Sequence, residues 1–200
     1  MRARRFRFSK NRNEFILCRG TLRTLVAAYL GKKPAELSFS YSPEGKPSLA
    51  LAGAPTSLSF NVSHTDGMAL FAFTLGRRIG VDVERVREDF ASASIAERFF
   101  SRTEQRALQE LPGELQQVAF FRCWTRKEAF VKAKGGGLFH ALDQFDVSIV
   151  PDEQRALRAT RPDPEEVKTW EIRSLKMRPP YVAALAIETM FSSTKSLSAQ

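Results

Sequence analysis

The run from Glu114 to Lys134 limits the possible folds of this chain more than any other segment. Phe120, Phe121, Phe130 and Val131 stud a helical pattern that Gly135-Gly136-Gly137 brings to a stop. A helix that apolar is largely buried, so other layers of structure must surround it. The rest of the chain supplies them. Glu14 to Leu30 reads as a second helix, with Phe15, Cys18, Leu22, Leu25, Val26 and Tyr29 on one face and Gly31 as its stop. Leu37 to Tyr41 alternates like a strand, Ser42 to Pro47 reads as a turn, and Leu49 to Leu51 resumes a strand. Leu58–Val62, Met68–Thr74, Arg78–Val86, Phe145–Val150, Val167–Leu175 and Tyr181–Ile187 are further strand-like runs. Ser101-Arg-Thr-Glu104 is a capping-box pattern ahead of a short helix that Pro112-Gly113 breaks. Ser192 to Gln200 reads as a polar, frayed tail.

Helix followed by strands thus occurs twice, over roughly 1–79 and 80–190. Hairpins and meanders dominate, which predicts an α+β fold with antiparallel sheets rather than a doubly wound one. No repeat links the halves residue by residue, and neither a GxGxxG nor a Walker A pattern is present.

Composition narrows the class. Hydrophobic residues make up 43% and charged residues 26%, ordinary for a globular protein with a core. No run approaches the ~18 apolar residues of a membrane span. The basic N-terminus lacks the apolar stretch of a secretory signal. It also runs straight into a helical pattern without the Ser-rich spacer of a transit peptide. Cys18 and Cys123 stand far apart with no CxxC, as free buried thiols of a reduced compartment would, so the expectation is a cytoplasmic protein. The net charge of +9 is local. Residues 1–33 carry ten Lys or Arg and one acid, whereas residues 34–200 hold twenty-one of each sign. A confined basic patch implies an anionic partner. Within it Arg12, Arg19 and Arg23 share one side if the first helix extends back that far, close behind Arg2, Arg4, Arg5 and Arg7.

Four groups of residues carry chemistry. In Gly80-Val81-Asp82-Val83-Glu84, two carboxylates lie on one strand face, about 7 Å apart. A divalent cation resolves their repulsion, and oxygen ligands suit Mg²⁺. The bland alternative is an exposed strand edge neutralised by Arg85 and Arg87. In the long helix, Trp124, Glu128 and Lys132 fall at i, i+4 and i+8 on one stripe. That is either a surface Glu–Lys pair or, because the helix is buried, a carboxylate facing a cleft. Phe60-Asn-Val-Ser63-His64 ends a strand. His64 is a structural histidine or a phosphate contact, and no GxSxG elbow supports a nucleophilic serine. Gly45-Lys46-Pro47 can present backbone and one ammonium to an anion, or merely connect strands.

These four pieces, in the order GKP, FNVSH, GVDVE and WTRKEAFVKAKGGGL, resemble the 4′-phosphopantetheinyl transferase superfamily, particularly its Sfp-type enzymes. The likeness covers most of the chain and includes Phe99 to Glu104 and Tyr181-Val-Ala-Ala. It implies two similar α+β halves related by a pseudo-twofold axis, 1–79 and 80–200, each packed on a long helix, with coenzyme A bound between them. By position it implies Asp82, Glu84 and Glu128 as Mg²⁺ ligands, with Asp82, Glu128 and Lys132 as the catalytic set. Glu128 is then the base and Lys132 the lysine on the pyrophosphate. It implies Arg19, Lys46, Pro47, Ser63, His64 and Lys127 as further coenzyme A contacts, with Arg19 near the 3′-phosphate. The implied activity moves phosphopantetheine to a serine of an acyl or peptidyl carrier protein, releasing adenosine 3′,5′-bisphosphate. The implied enzyme is a monomer serving fatty-acid, polyketide or nonribosomal-peptide synthesis, with no membrane or nucleic-acid partner. Related enzymes usually carry one more strand before the segment resembling Met1 to Phe8. Two other readings stand beside this one. One is a nucleic-acid binder using the basic N-terminus, disfavoured because no aromatic-interleaved basic surface follows residue 33. The other is a catalytically silent coenzyme A binder.

Overall fold

Two 22-residue helices each pack against antiparallel strands. The computed structural model describes residues 8–42, 45–50, 57–90, 92–135 and 142–189. In chain order, α1 (Ser9–Leu30) precedes β1 (Phe39–Tyr41), β2 (Pro47–Leu49), β3 (Leu58–Thr65), β4 (Met68–Leu75) and β5 (Ile79–Arg85). Then come α2 (Ser92–Phe99), α3 (Arg102–Gln109) and α4 (Gly113–Lys134). β6 (Phe145–Val147), β7 (Leu157–Thr160), β8 (Trp170–Leu175) and β9 (Tyr181–Glu188) follow. Among the described residues the sheets are the hairpins β1–β2, β3–β4 and β6–β7 and the three-stranded sheet β5–β9–β8, all antiparallel. The expected α+β class with antiparallel pairing is what the chain adopts.

Two apolar clusters hold these layers. Leu22, Val26 and Ala27 of α1 pack with Leu37, Leu58 and Phe60 over the β3–β4 hairpin. A larger cluster sets Phe120, Phe121, Phe130 and Val131 of α4 against Phe100, Phe145, Trp170, Ile172 and Ala184. Burial on most sides is thus the rule for α4, as its apolar residues require. A third, small cluster of Ala72, Ile79 and Val81 lies where β4 meets the three-stranded sheet.

Some boundaries differ from the sequence reading. α1 begins at Ser9, not Glu14, because its polar first turn contains no breaker and Arg12 N–H already bonds Phe8 C=O at 3.2 Å. Tyr29 is exposed rather than in the apolar face, its ring lying against Phe73 at 4.7 Å. The run from Val167 is strand only from Trp170. Before it, Asp163 accepts the Glu165 N–H and starts a 3-10 turn, Pro164–Thr169. β6 ends at Val147, after a register shift; beyond it Ser148 Oγ accepts the Val150 N–H. α2 and β7 had no clear signal in the pattern. Leu51, Pro43 and Glu44 of the expected turn and strand, Gly136 and Gly137, the arginines at 2, 4, 5 and 7, and the tail from Ser192 lie outside the described residues.

Two features tie β5 to its neighbours. Side chains of β3 reach the backbone of β5: Asn61 Oδ1 accepts the Val81 N–H at 2.9 Å, and Ser63 Oγ accepts the Val83 N–H at 3.3 Å. On the other side of β5, Gly80 lies flat on α4. A Cβ there would stand 2.0 Å from the Ala129 carbonyl oxygen and 2.5 Å from the Ala133 nitrogen. Only glycine lets these two backbones approach so closely. The contact brings the carboxylates of β5 beside the Glu128 stripe of α4.

Candidate active site

Beside β5 and α4 lies a cleft of about 620 Å³, within the range of small-molecule sites. Its walls come from α1, the β1–β2 turn, β3, β5 and α4. Asp82 and Glu84 enter from β5, at alternate positions of one strand as expected. Trp124, Glu128 and Lys132 enter from α4. Those three are half-buried while Thr125, Arg126, Lys127, Ala129, Phe130 and Val131 around them are buried. The i, i+4, i+8 stripe therefore faces the cleft.

The polar centre is a compact network. Asp82 is buried, and its Oδ1 accepts from Lys132 Nζ at 2.5 Å and from Ser63 Oγ at 2.8 Å. Lys132 Nζ also lies 3.1 Å from Ser63 Oγ. Thr65 Oγ1 donates to Glu84 Oε2 at 3.4 Å. Asp82 Oδ2 and Glu128 Oε1 are buried with no hydrogen-bond partner. Burial lifts the Glu128 carboxyl to about 7; nearby Asp82 and Glu84 push the same way and Lys132 opposes them. Burial, reinforced by Asp82, also raises Glu84. Of the two arginines in the bland alternative, Arg85 pairs with Asp66 at 2.8 Å, while Arg87 has the smallest of the influences on the Glu84 pKa and lowers it. No three carboxylate, His or Cys groups among the described residues form a ready-closed metal cluster. The donor set still fits a hard cation: three carboxylates line one cleft, and two of them carry a buried oxygen without a partner. In this structure the Lys132 ammonium balances the Asp82 charge.

The rim is basic. Gly45, at φ 89°, makes the left-handed turn that aims Lys46 into the cleft, and Pro47 continues its wall. Lys46 Nζ donates to the Lys132 carbonyl at 2.5 Å, at the C-terminal end of α4. Burial, then the neighbouring Lys132, lowers its pKa. Of the three helix arginines only Arg19 lines the cleft. Its guanidinium lies 5.4 Å from the Phe15 ring centroid and 5.1 Å from that of Tyr41. Arg23 instead bonds the Pro34 and Leu37 carbonyls, and Arg12 is exposed. His64 is exposed at the edge of the cleft, whereas Ser63 turns inward.

Lys127 requires a correction: it is not at the cleft. Its ammonium is fully buried, 2.8 Å from Glu104 and bonded to the Leu142 and Phe145 carbonyls. Its place one residue before Glu128 on a buried helix turns it about 100° away from the stripe that faces the cleft. The sequence reading gave no site role to Thr65, placed Phe15 only on the apolar face of α1, and named Asn61 only within the FNVSH run. A buried asparagine in a strand was the available signal for Asn61, since an amide there must find partners.

A carboxylate-rich centre facing an ammonium, inside a basic-rimmed cleft, defines an enzyme that handles a phosphate-bearing substrate. Comparison with known proteins makes the class specific. A family model described as 4′-phosphopantetheinyl transferase superfamily matches residues 78–186, and one described as 4′-phosphopantetheinyl transferase, N-terminal, matches residues 1–74. The 4′-phosphopantetheinyl transferase HetI of Nostoc sp. is 38% identical over 93% of this chain and 75% of its own length. The 4′-phosphopantetheinyl transferase Sfp of Bacillus subtilis is 30% identical over 86% of this chain and 74% of its own. The holo-[acyl-carrier-protein] synthase of Thermotoga maritima, a solved structure, has TM-score 0.42 and 22% identity over 56% of this chain and 62% of that one, too remote to add more. The chain belongs to the 4′-phosphopantetheinyl transferase superfamily and is an enzyme of its Sfp type.

Proposed function

We propose that this cleft transfers the 4′-phosphopantetheine arm of coenzyme A to a serine of an apo carrier protein with the help of Mg²⁺. One observation carries the reading: Asp82, Glu84, Glu128 and Lys132 converge on a single cleft in which two carboxylate oxygens are buried without partners.

The serine oxygen forms a bond to the β-phosphorus of the pyrophosphate. The bond from that phosphorus to the bridging oxygen breaks, and adenosine 3′,5′-bisphosphate leaves with the electron pair. Glu128 takes the serine proton, directly or through water. Lys132 swings from Asp82 to the pyrophosphate oxygens, where charge builds. Asp82, Glu84 and Glu128 would hold Mg²⁺, which when bound neutralises charge on those oxygens. Lys46 and His64 contact the phosphates. Arg19, whose guanidinium lies near the Phe15 and Tyr41 rings, binds the 3′-phosphate.

The proposal extends to architecture. Residues 1–79 and 80–200 act as two halves related by a pseudo-twofold, supported by the matching 22-residue helices that each pack on antiparallel strands. The enzyme acts as a cytoplasmic monomer. Two free, buried cysteines support a reduced compartment, and no helix among the described residues is long and apolar enough to cross a membrane. The basic N-terminus attracts acidic carriers. Incubation with coenzyme A, Mg²⁺ and apo carriers of fatty-acid, polyketide and nonribosomal-peptide systems tests this: intact mass should show one phosphopantetheine added. Stabilisation by coenzyme A with no carrier modified would favour a silent binder. A steep salt dependence on nucleic acid without such stabilisation would favour the nucleic-acid binder.

A further inference from the structure

We infer that Lys132 couples metal binding to substrate binding: on Asp82 it opposes a divalent cation, and it gives up that opposition when it moves to a pyrophosphate. The helical spacing of Glu128 and Lys132 would pair them with each other. The ammonium lies instead on Asp82 Oδ1, at 2.5 Å, while Glu128 Oε1 is buried with no hydrogen-bond partner. The Asp82 side chain is 4% exposed and that of Lys132 29%, so the carboxylate is fixed and the ammonium is the partner with room to move. A cation that takes Asp82 meets a carboxylate whose charge an ammonium already balances, at a site where little water screens the pair.

The backbone beneath the ammonium is held. The Lys132 carbonyl accepts from Lys46 Nζ at 2.5 Å and from the Gly135 N–H at 3.3 Å. Movement therefore falls to the flexible four-carbon stem. That one movement changes two groups, because Lys132 Nζ also lies 3.1 Å from Ser63 Oγ. It restores the full charge of Asp82 to the cation and releases Ser63 Oγ to the substrate. Coupling of this kind is reciprocal: coenzyme A raises cation affinity by the same factor by which the cation raises coenzyme A affinity.

This inference rests on the reading of Asp82 as a metal ligand, and the test separates the two. Mn²⁺ binding to the full chain is titrated by electron paramagnetic resonance, with and without coenzyme A and with no carrier present. The proteins are wild type, Lys132→Met, Lys132→Gln, Lys46→Met and Asp82→Ala. Without coenzyme A, Lys132→Met should bind Mn²⁺ about tenfold tighter than wild type, the effect of removing a charged hydrogen bond that competes for Asp82. Coenzyme A should then raise its Mn²⁺ affinity by a factor about tenfold smaller than in wild type. Lys132→Gln, which keeps a donor for Asp82 without the charge, carries the test if the methionine variant does not fold. Lys46→Met removes a cleft cation that is bonded to the Lys132 carbonyl rather than to Asp82, and should change Mn²⁺ affinity far less. An equal gain in Lys46→Met would overturn the inference, since the general field of the cleft would then be what opposes the metal. So would wild-type or weaker Mn²⁺ affinity in a folded Lys132→Met or Lys132→Gln protein, or a coenzyme A effect of undiminished size. Any of those results, with Mn²⁺ binding lost in Asp82→Ala, removes the coupling and leaves the metal reading standing. Wild-type Mn²⁺ affinity in Asp82→Ala would sink the metal reading itself, and the inference with it.

Discussion

Gly80→Ala should damage stability and activity together, because one backbone contact supports both. The added Cβ would meet the Ala129 carbonyl oxygen at 2.0 Å, whereas ordinary contact begins near 3.4 Å, so β5 and α4 must part by about 1.4 Å along that line. The obstructing atoms are backbone and cannot rotate away. Overpacking of this kind costs about 1–3 kcal/mol, and the upper end applies here because the Ala133 nitrogen is also in the way at 2.5 Å. For a chain of this size that is a fall in Tm of about 6–12 °C. A displacement of about 1 Å between reacting groups can cost ~100-fold in rate, and this one separates Asp82 and Glu84 from Glu128 and Lys132. Gly20→Ala is the contrasting variant: Gly20 lies within α1 with nothing within 4 Å of its would-be Cβ, and alanine should gain about 1 kcal/mol. Thermal melts by circular dichroism and transfer rates on both variants make the comparison. A Gly80→Ala protein within 2 °C of wild type and fully active would refute the claim that this contact sets the site's geometry.

Three further outcomes follow from the same coordinates. In metal-free protein, Glu128 sits near 7 when folded against 4.5 as the ordinary value, so the folded chain holds a proton that the unfolded chain has released. Stability should therefore fall as pH rises from about 4.5 to about 7. Glu128→Gln should remove that slope and add up to about 3 kcal/mol at pH 8, readable by urea unfolding with chelator present; an unchanged slope would contradict the burial argument. Lys127→Met should destabilise by about 3–5 kcal/mol by stranding Glu104 in the core, with Glu104→Gln partly restoring it. A well-folded Lys127→Met protein with a raised KM for coenzyme A would instead return Lys127 to the cleft. Arg19→Ala should raise KM for coenzyme A about tenfold and leave 3′-dephospho-coenzyme A unaffected, by steady-state kinetics. An equal loss with both substrates would remove Arg19 from the 3′-phosphate.

Much of this was legible in the sequence for a definite reason. The two glycine stops at Gly31 and Gly135, the capping box at Ser101 and Glu104, and the strand alternation of Asp82 and Glu84 are local rules, and each is obeyed. The Trp124–Glu128–Lys132 stripe was legible because helical period fixes which residues share a face. What one sequence does not carry is long-range choice. Lys127 and Lys132 are both lysines of one helix; only packing sends one to Glu104 and the other to Asp82. Likewise the hydroxyl of Ser63 gains its meaning from β5, a strand that its own segment does not predict as a neighbour.

The most direct measurement is the single-turnover rate of phosphopantetheine transfer to an apo carrier by Asp82→Ala, with Mg²⁺ saturating and the fold verified by circular dichroism. If the three carboxylates and Lys132 form the reacting centre, the rate falls at least about a hundredfold while coenzyme A still binds. A folded Asp82→Ala enzyme that transfers at the wild-type rate would contradict the assignment of that cleft as the reacting centre.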